Sequence, residues 1–484
     1  MRRLRRPDLW FLVTLLVVVV IGAGLLARAD ATDSDSRRLS YSRHHWQAAF
    51  DALSATCGVG LLTYGFQEDY TPRGRWILTA LGVIGALLFV AAATHAMRRA
   101  QEPVRRWESE RVGKSDRISA PLGHPLPSHL PTCSHSHARV PHPVLAVSAF
   151  IIVQTLVLGI FLLASWIGEG TADRLETGPT VETAWSAIAA FSSLGWASEI
   201  VGDRLETGPT AWPLALMAWL GALGWPVWLL IVPALSRRYV RVRATLALLG
   251  AYALMLLSAA LLISAFESPR GAVGRGGPSD DLSGQPWPTR YARSLVQTVA
   301  ASGAGTPTES LEGADATPGT KVTLAALLLI GGLGGSTTGG VQCLVLLWAF
   351  GGAAAALGWS GRGDRNPEAA RWMRAGLACV LLLALLAFVV AIGMLLLENW
   401  TASRYQPPPA FADAWLDACS LVAGGNLSTG LTDTVTGRNL LSGIRQSANL
   451  YQHGMIWLML AMLAGRVLPL VVLSRLANDR ADAS

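Results

Sequence analysis

Long apolar runs alternate with short segments of mixed polarity along the chain. Runs of about 20 apolar residues, enough for a helix to cross a ~30 Å hydrocarbon core, occupy 9–27, 76–97, 144–167, 211–235, 244–266, 321–350, 375–397 and 451–473. They predict eight membrane spans. Between successive spans lie four segments too short and too polar to cross, yet patterned like helices: 44–63 "HHWQAAFDALSATCGVGLLT", 181–200 "VETAWSAIAAFSSLGWASEI", 290–309 "RYARSLVQTVAASGAGTPTE" and 411–430 "FADAWLDACSLVAGGNLSTG". Each starts as a short amphipathic helix and ends in a glycine-containing turn. Superposing them aligns Gly60, Gly195 and Gly305 with Asn426, at intervals of 110 to 135 residues. "YTPRGRW", "TGPTAWP" and "ATPGTKV" each open the following span with a proline, which is well tolerated in a first helical turn; "TVTGRNL" in the fourth lacks it. The pattern predicts an all-α polytopic membrane protein, a fourfold repeat of span, re-entrant helix and loop, span.

Charge sets an orientation. Arginines crowd the N-terminus and the segments 98–117, 237–243 and 362–374, whereas "ADATDSDS", "EGTADRLE" and "ENWTASRY" hold most of the acidic residues. The positive-inside rule puts the basic segments and both termini in the cytoplasm. The opening "MRRLRR", with Ala27-Arg28-Ala29 beyond, also has features of a signal peptide, but its apolar run exceeds the usual h-region. Charged residues make up only 15% of the chain and hydrophobic ones 51%, too apolar for a soluble multidomain protein. The net charge of +7 follows from this topology, and no basic-aromatic patch points to nucleic acid. Five scattered cysteines, 57, 133, 343, 379 and 419, form no CxxC pair and argue against a disulfide framework or zinc ribbon.

Helix-free backbone at membrane depth is tolerated only where protein buries it or it lines water. Four re-entrant turns around one axis would present a ring of backbone carbonyls, the arrangement that replaces the hydration shell of a potassium ion. The stretch Gly331 to Gly340, "GGLGGSTTGG", interrupts a span between "VTLAALLLI" and "VQCLVLLWAF". Its glycines allow an unwound hinge, while its Ser-Thr-Thr centre can satisfy freed backbone or touch an ion. Close helix packing through small residues is the alternative.

These quarters, with "SATCGVGL" before "YTPRGRWILTALGVIGAL", "IGGLGGSTTGGVQ", and "NLSTGL" before "AGRVLPLVVL", resemble the Trk/Ktr/HKT superfamily of potassium transporters over nearly the whole chain. The eight-span layout is similar to the Ktr-type ion-conducting subunit. The resemblance implies four M1–pore helix–M2 repeats around a pore: repeat 1 in 1–100, a cytoplasmic linker in 101–143, repeat 2 in 144–238, repeat 3 with a gate loop in 239–352, and repeat 4 with the C-terminal tail in 353–484. It implies a selectivity filter made by Cys57, Gly58, Val59 and Gly60; Ser192, Ser193, Leu194 and Gly195; Ser302, Gly303, Ala304 and Gly305; and Ala423, Gly424, Gly425 and Asn426. The gate loop would be Gly331, Gly332, Gly334, Gly335, Ser336, Thr337, Thr338, Gly339 and Gly340, with Arg466 as the gating charge. It further implies K+ as the transported ion, with no organic cofactor in this chain, a plasma (inner) membrane location, a homodimer, and a cytoplasmic nucleotide-binding regulatory ring of the RCK/KTN type.

Two positions depart from the pattern. Asn426 stands where the family has glycine; Asn visits the left-handed region more readily than other residues, and a slip placing Gly425 there is the alternative. The departure favours a K+ path with some Na+ leak, and it keeps open a non-conducting regulatory paralogue. Gln342 replaces a lysine frequent in the family, which removes a charge barrier. Arg466, inside an apolar span, faces the pore or snorkels to the cytoplasmic edge. Asp51 and Asp417, nine residues before Gly60 and Asn426, either concentrate cations or are solvated. The loop 123–143 holds five of nine histidines but matches no zinc template and reads as a connector. The octapeptide "DRLETGPT" occurs at 173–180 and 203–210, its last Thr a helix cap in each copy. A membrane enzyme would need convergent acid-base or metal-ligating groups, and the spans carry almost none beyond isolated His95 and His453.

Overall fold

The computed structural model describes residues 6–28, 41–63, 70–119, 140–168, 179–194, 211–232, 242–268, 282–303, 311, 316–347, 367–401, 410–425, 427, 429, 432–433, 438–439 and 448–478. Repeat 1 consists of α1 (Arg6–Leu26), the short α2 (Tyr41–Thr56) and α3 (Pro72–Ser119). Repeat 2 consists of α4 (Pro143–Gly168), α5 (Pro179–Phe191), α6 (Ala211–Ala222) and α7 (Gly224–Ile231). Repeat 3 follows with α8 (Val242–Phe266), α9 (Trp287–Gly303) and α10 (Pro318–Ile330), and repeat 4 with α11 (Pro367–Thr401), α12 (Phe411–Ala423) and α13 (Ala448–Asn478). A two-residue antiparallel ladder, β1 (Thr432–Asp433) with β2 (Arg438–Asn439), lies between α12 and α13.

The repeats close into a ring. In repeats 1 and 2 the short helix packs on the long helix before it and on the helix after it, as α2 does on α1 and α3. Neighbouring repeats meet through α3 against α4 and α5, α6 against α9, α10 against α12, and α13 against α2 and α3. The short helices therefore point inward and the long ones stand outside. The outer surface is apolar: Val20 and Ile21 of α1, Leu156 and Ile160 of α4, Leu254 of α8 and Leu381, Leu385 and Leu396 of α11 are exposed. Such a surface is costly in water and suited to lipid. Among the described residues five helices are long and apolar enough to cross a membrane, namely Pro72–Arg99, Pro143–Ile160, Thr245–Phe266, Met373–Leu396 and Met455–Val472, and Trp10–Leu26 and Pro318–Ile330 are shorter apolar helices. The chain is a multi-pass membrane protein.

The apolar runs and the helices correspond, with two corrections. The span expected at 211–235 is broken into α6 and α7 at Gly224, whose φ is +65°. Residues 331–340 pack into the break: Leu333 N–H donates to Ala222 O at 2.8 Å, and a Cβ at Gly224 would collide with Gly334 O. The basic segment 98–117, expected as a loop, continues α3 to Ser119. It is rich in Arg and Glu, good helix formers, and Glu110 stands four residues before Lys114, a favourable spacing. The interruption expected in 321–350 is present, with α10 ending at Gly331 and helix resuming at 343–347.

Candidate functional site

The short helices of repeats 1, 2 and 4 end in one shared turn. In repeat 1, Val59 N–H reaches back five residues to Ser54 O (2.9 Å); in repeat 2, Leu194 N–H reaches Ala189 O (2.8 Å); in repeat 4, Gly425 N–H reaches Ser420 O (3.0 Å). This long bond closes a Schellman turn, which needs a left-handed residue just before the donor. Gly58 (φ +62°), Ser193 (φ +61°) and Gly424 (φ +70°) occupy that place. Ser193 is the exception, since a side chain with positive φ costs roughly 1–2 kcal/mol. Its hydroxyl compensates by donating to Gly303 O at 2.7 Å, and it lies 2.7 Å from Thr337 Oγ1.

Two side chains, Thr337 and Arg466, lie among the turns. Thr337 Oγ1 also lies 3.1 Å from Phe191 O and 3.2 Å from Gly221 O. Its single proton must be shared among these acceptors, so Thr337 ties the centre of the 331–340 loop to repeat 2 and, through Ser193, to Gly303 of repeat 3. Arg466 of α13 is buried. Its Nε donates to Cys57 O, its Nη2 to Gly58 O at 3.2 Å and its Nη1 to Thr337 O at 3.4 Å. Its guanidinium lies 4.5 Å from the centre of the Phe89 ring, a cation–π distance. A Cβ at Gly58 or at Gly424 would come within 2.5 Å of Nη2, so a side chain there would have to displace the guanidinium as well as adopt a left-handed conformation. Arg466 thus faces the centre of the ring, and the snorkelling alternative is set aside. A cavity lined by Phe11, Leu15, Phe89, Ser192, Thr337 and Arg466 adjoins the first turn.

The 331–340 loop satisfies its own backbone. Gly332 N–H donates to Thr338 Oγ1 (2.7 Å), Ser336 and Thr338 share a hydroxyl contact (2.8 Å), and Gln342 Oε1 accepts from Gly335 N–H (2.9 Å). Gln342 itself has φ +69°. The residue expected only to lack a charge is therefore a clasp: an amide oxygen can accept from the loop where a lysine ammonium cannot.

Behind the turns the repeats differ. In repeat 1, Asp51 Oδ1 accepts from Thr63 N–H (2.7 Å), and Oδ2 accepts from Thr63 Oγ1 (2.9 Å) and Tyr70 Oη (2.6 Å). In repeat 4, Asp417 Oδ1 accepts from Thr429 N–H at 2.8 Å. Both carboxylates are buried. This corrects the expectation that they are solvated. In repeat 2, Gln154 of α4 donates to Ser192 Oγ (3.1 Å), and in repeat 3, Tyr252 of α8 donates to Ser302 Oγ (3.2 Å). A buried ion pair, Lys321 with Asp413, joins α10 to α12. Gln154, Tyr252 and Lys321 escape a sequence reading because a single polar residue in a span has no periodic partner. Asp51 and Asp417 carried a signal in their equal spacing, but not its meaning.

Gly195, Ala304, Gly305 and Asn426 lie outside the described residues, as do 123–139 of the histidine-rich loop and the second "DRLETGPT"; Thr180 of the first copy lies in the first turn of α5. Among the described residues no three His, Cys, Asp or Glu side chains are grouped to hold a metal.

No protein-family model matches the sequence, and no curated protein matches it. The crystal structure of the potassium transporter TrkH from Vibrio parahaemolyticus is similar to this chain over 98% of its length and 84% of the transporter's own, with a TM-score of 0.58 at 15% identity. At that identity the likeness is one of fold, and it covers all four repeats.

Proposed function

We propose that this chain is a transporter, not an enzyme, and that it takes up potassium across the plasma membrane. Carbonyls of 57–60, 192–195, 302–305 and 423–426 form its selectivity filter, the 331–340 loop its gate, and Arg466 its gating charge. The observation that supports this reading is the approach of turns 1, 2 and 4 to Arg466 and Thr337, with the Cys57 and Gly58 carbonyls accepting from the guanidinium. In this reading the guanidinium is an internal substitute for the permeant cation, and Arg466 withdraws for an ion to pass. The fold likeness to a potassium transporter supports the ion class.

The finer parts belong to the same proposal. Both termini are cytoplasmic, the repeats divide at 100, 143, 238 and 352, two copies form a homodimer, and a nucleotide-binding ring of RCK/KTN type docks on the basic cytoplasmic face. Potassium-limited growth of a strain lacking potassium uptake tests the core. The parent should restore growth and Gly60→Ser should not. Equal rescue by Gly60→Ser would remove the filter assignment, and no rescue by a membrane-expressed parent would favour a non-conducting paralogue. Reversal potentials that follow Na+ and K+ equally would replace potassium uptake by an unselective Na+/K+ path.

A further inference from the structure

In every repeat the position nine residues before the last filter residue lies on the short helix: Asp51, Ser186, Val296 and Asp417. Acid occurs there only in repeats 1 and 4, and in both its carboxylate accepts the backbone N–H of the residue twelve positions on, Thr63 or Thr429. Those threonines lie on the strand of chain that leaves the filter. A carboxyl oxygen accepts a backbone N–H whether or not the group is ionised, and burial removes competing water. In repeat 1 the second oxygen also takes the Thr63 and Tyr70 hydroxyls, so both oxygens are committed and the carboxylate has little freedom to rotate.

Repeats 2 and 3 have no such acid, but the first residue of each turn is a serine held from a long helix, Ser192 by Gln154 and Ser302 by Tyr252. The matching residues in repeats 1 and 4, Cys57 and Ala423, have no hydroxyl. Among the described residues, turns 2 and 3 are tied at their start and turns 1 and 4 at their exit. The exit ties are in the two repeats whose turns bear the Arg466 contacts.

We infer that Asp51 and Asp417 are positioning residues for ion selection, holding the outgoing chain of filters 1 and 4 so that their carbonyls keep one radius when Arg466 withdraws. This rests on the proposed transport function and adds the residues that set its K+ over Na+ preference. They act through the backbone of Thr63 and Thr429, not by touching the ion.

The test uses the full-length chain with two readouts. Hydrogen exchange followed by mass spectrometry in detergent reads the Thr63 and Thr429 amides, and reversal potentials in liposomes read the K+/Na+ permeability ratio. Asp51→Ala should speed exchange at Thr63 by about tenfold and leave Thr429 unchanged, with Asp417→Ala doing the reverse. Either should lower the permeability ratio by about tenfold. Asp51→Asn, whose amide oxygen still accepts from Thr63, should recover much of both. If Asp51→Ala does not fold, Tyr70→Phe removes one donor and should shift both readouts the same way by less. Unchanged Thr63 exchange would overturn the tie, and faster exchange with the parental ratio would overturn the role in selection. A parent that passes neither ion would defeat the transport reading and the role in selection together, while the amide readout would still judge the tie.

Discussion

Repeats 1 and 4 present one side of the ring, and repeats 2 and 3 the other. The turns of repeats 1, 2 and 4 share a backbone, with the same five-residue reach-back bond and the same left-handed residue. Yet turns 1 and 4 lie against a cation, Arg466, and are tied by carboxylates, whereas turn 2 meets a neutral hydroxyl, Thr337, Gly303 of repeat 3 is reached through Ser193, and both are tied by serines. Ser193 shows what the difference requires. Facing Thr337 rather than a guanidinium, it keeps a side chain where one at Gly58 or Gly424 would displace Arg466. Backbone symmetry came with repetition, and polar chemistry diverged around whichever central group each turn meets.

The exchange with the largest expected effect is Gly58→Ala. Left-handed strain of about 1–2 kcal/mol adds to crowding against the Arg466 guanidinium, and both act on the conformation in which Arg466 is seated. The melting temperature in detergent should fall and the resting rubidium leak should rise. Ser193→Ala, which already has the Cβ and the positive φ, should lose only hydrogen bonds and shift both readouts less. Equal shifts at both would erase the distinction between the two sides.

Arg466→Gln comes next. It removes the charge-assisted donation to Cys57 and Gly58, worth about 1.5–3 kcal/mol for such a bond, so resting rubidium leak in liposomes should rise by about tenfold or more. Combined with Gly58→Ala the effects should be clearly non-additive, because the two groups touch. Additivity would mean that the contact does not restrain the conformation in which Arg466 is seated.

Thr337→Val tests the neutral side. Losing one hydroxyl that serves Ser193, Phe191 and Gly221 should lower stability by about 1–3 kcal/mol, read as a lower melting temperature in detergent, with less leak than Arg466→Gln. A leak as large as that of the arginine variant would show that both sides hold the gate equally. The smallest effect is expected from Tyr252→Phe. Its hydrogen bond to Ser302 is long at 3.2 Å, and its loss should cost about 0.5–1.5 kcal/mol. A destabilisation larger than that of Thr337→Val would mean that the start of the turn, not its centre, holds repeat 3.

Much of this organisation is legible along the chain. The short helices at 44–63, 181–200, 290–309 and 411–430 are visible because mixed polarity followed by glycine contrasts with the apolar runs around them. The break at Gly331 is visible because paired glycines lower helix propensity by about 1 kcal/mol each. The break at Gly224 is legible only in part: Pro226 has no N–H for Ala222 O, but that Leu333 of the 331–340 loop supplies the donor instead follows from tertiary structure. Gln342 likewise invited a comparison of charge, while its folded role is an acceptor for Gly335, seven residues earlier.

The sequence by itself determined the eight apolar runs, the fourfold repeat and the places where helix must stop, because hydrophobic length and glycine content act locally and in register with the chain. It also marked Arg466, since a lone charge in an apolar span must find a partner. Which partner was decided only by tertiary structure. Arg466 reaches Cys57 across 409 residues and Thr337 meets Ser193 across 144, distances over which no local pattern operates. The burial of Asp51 and Asp417 was decided in the same way. A carboxylate in a short helix faces water or a backbone N–H according to where the chain returns after the turn, and closure of the ring sets that return.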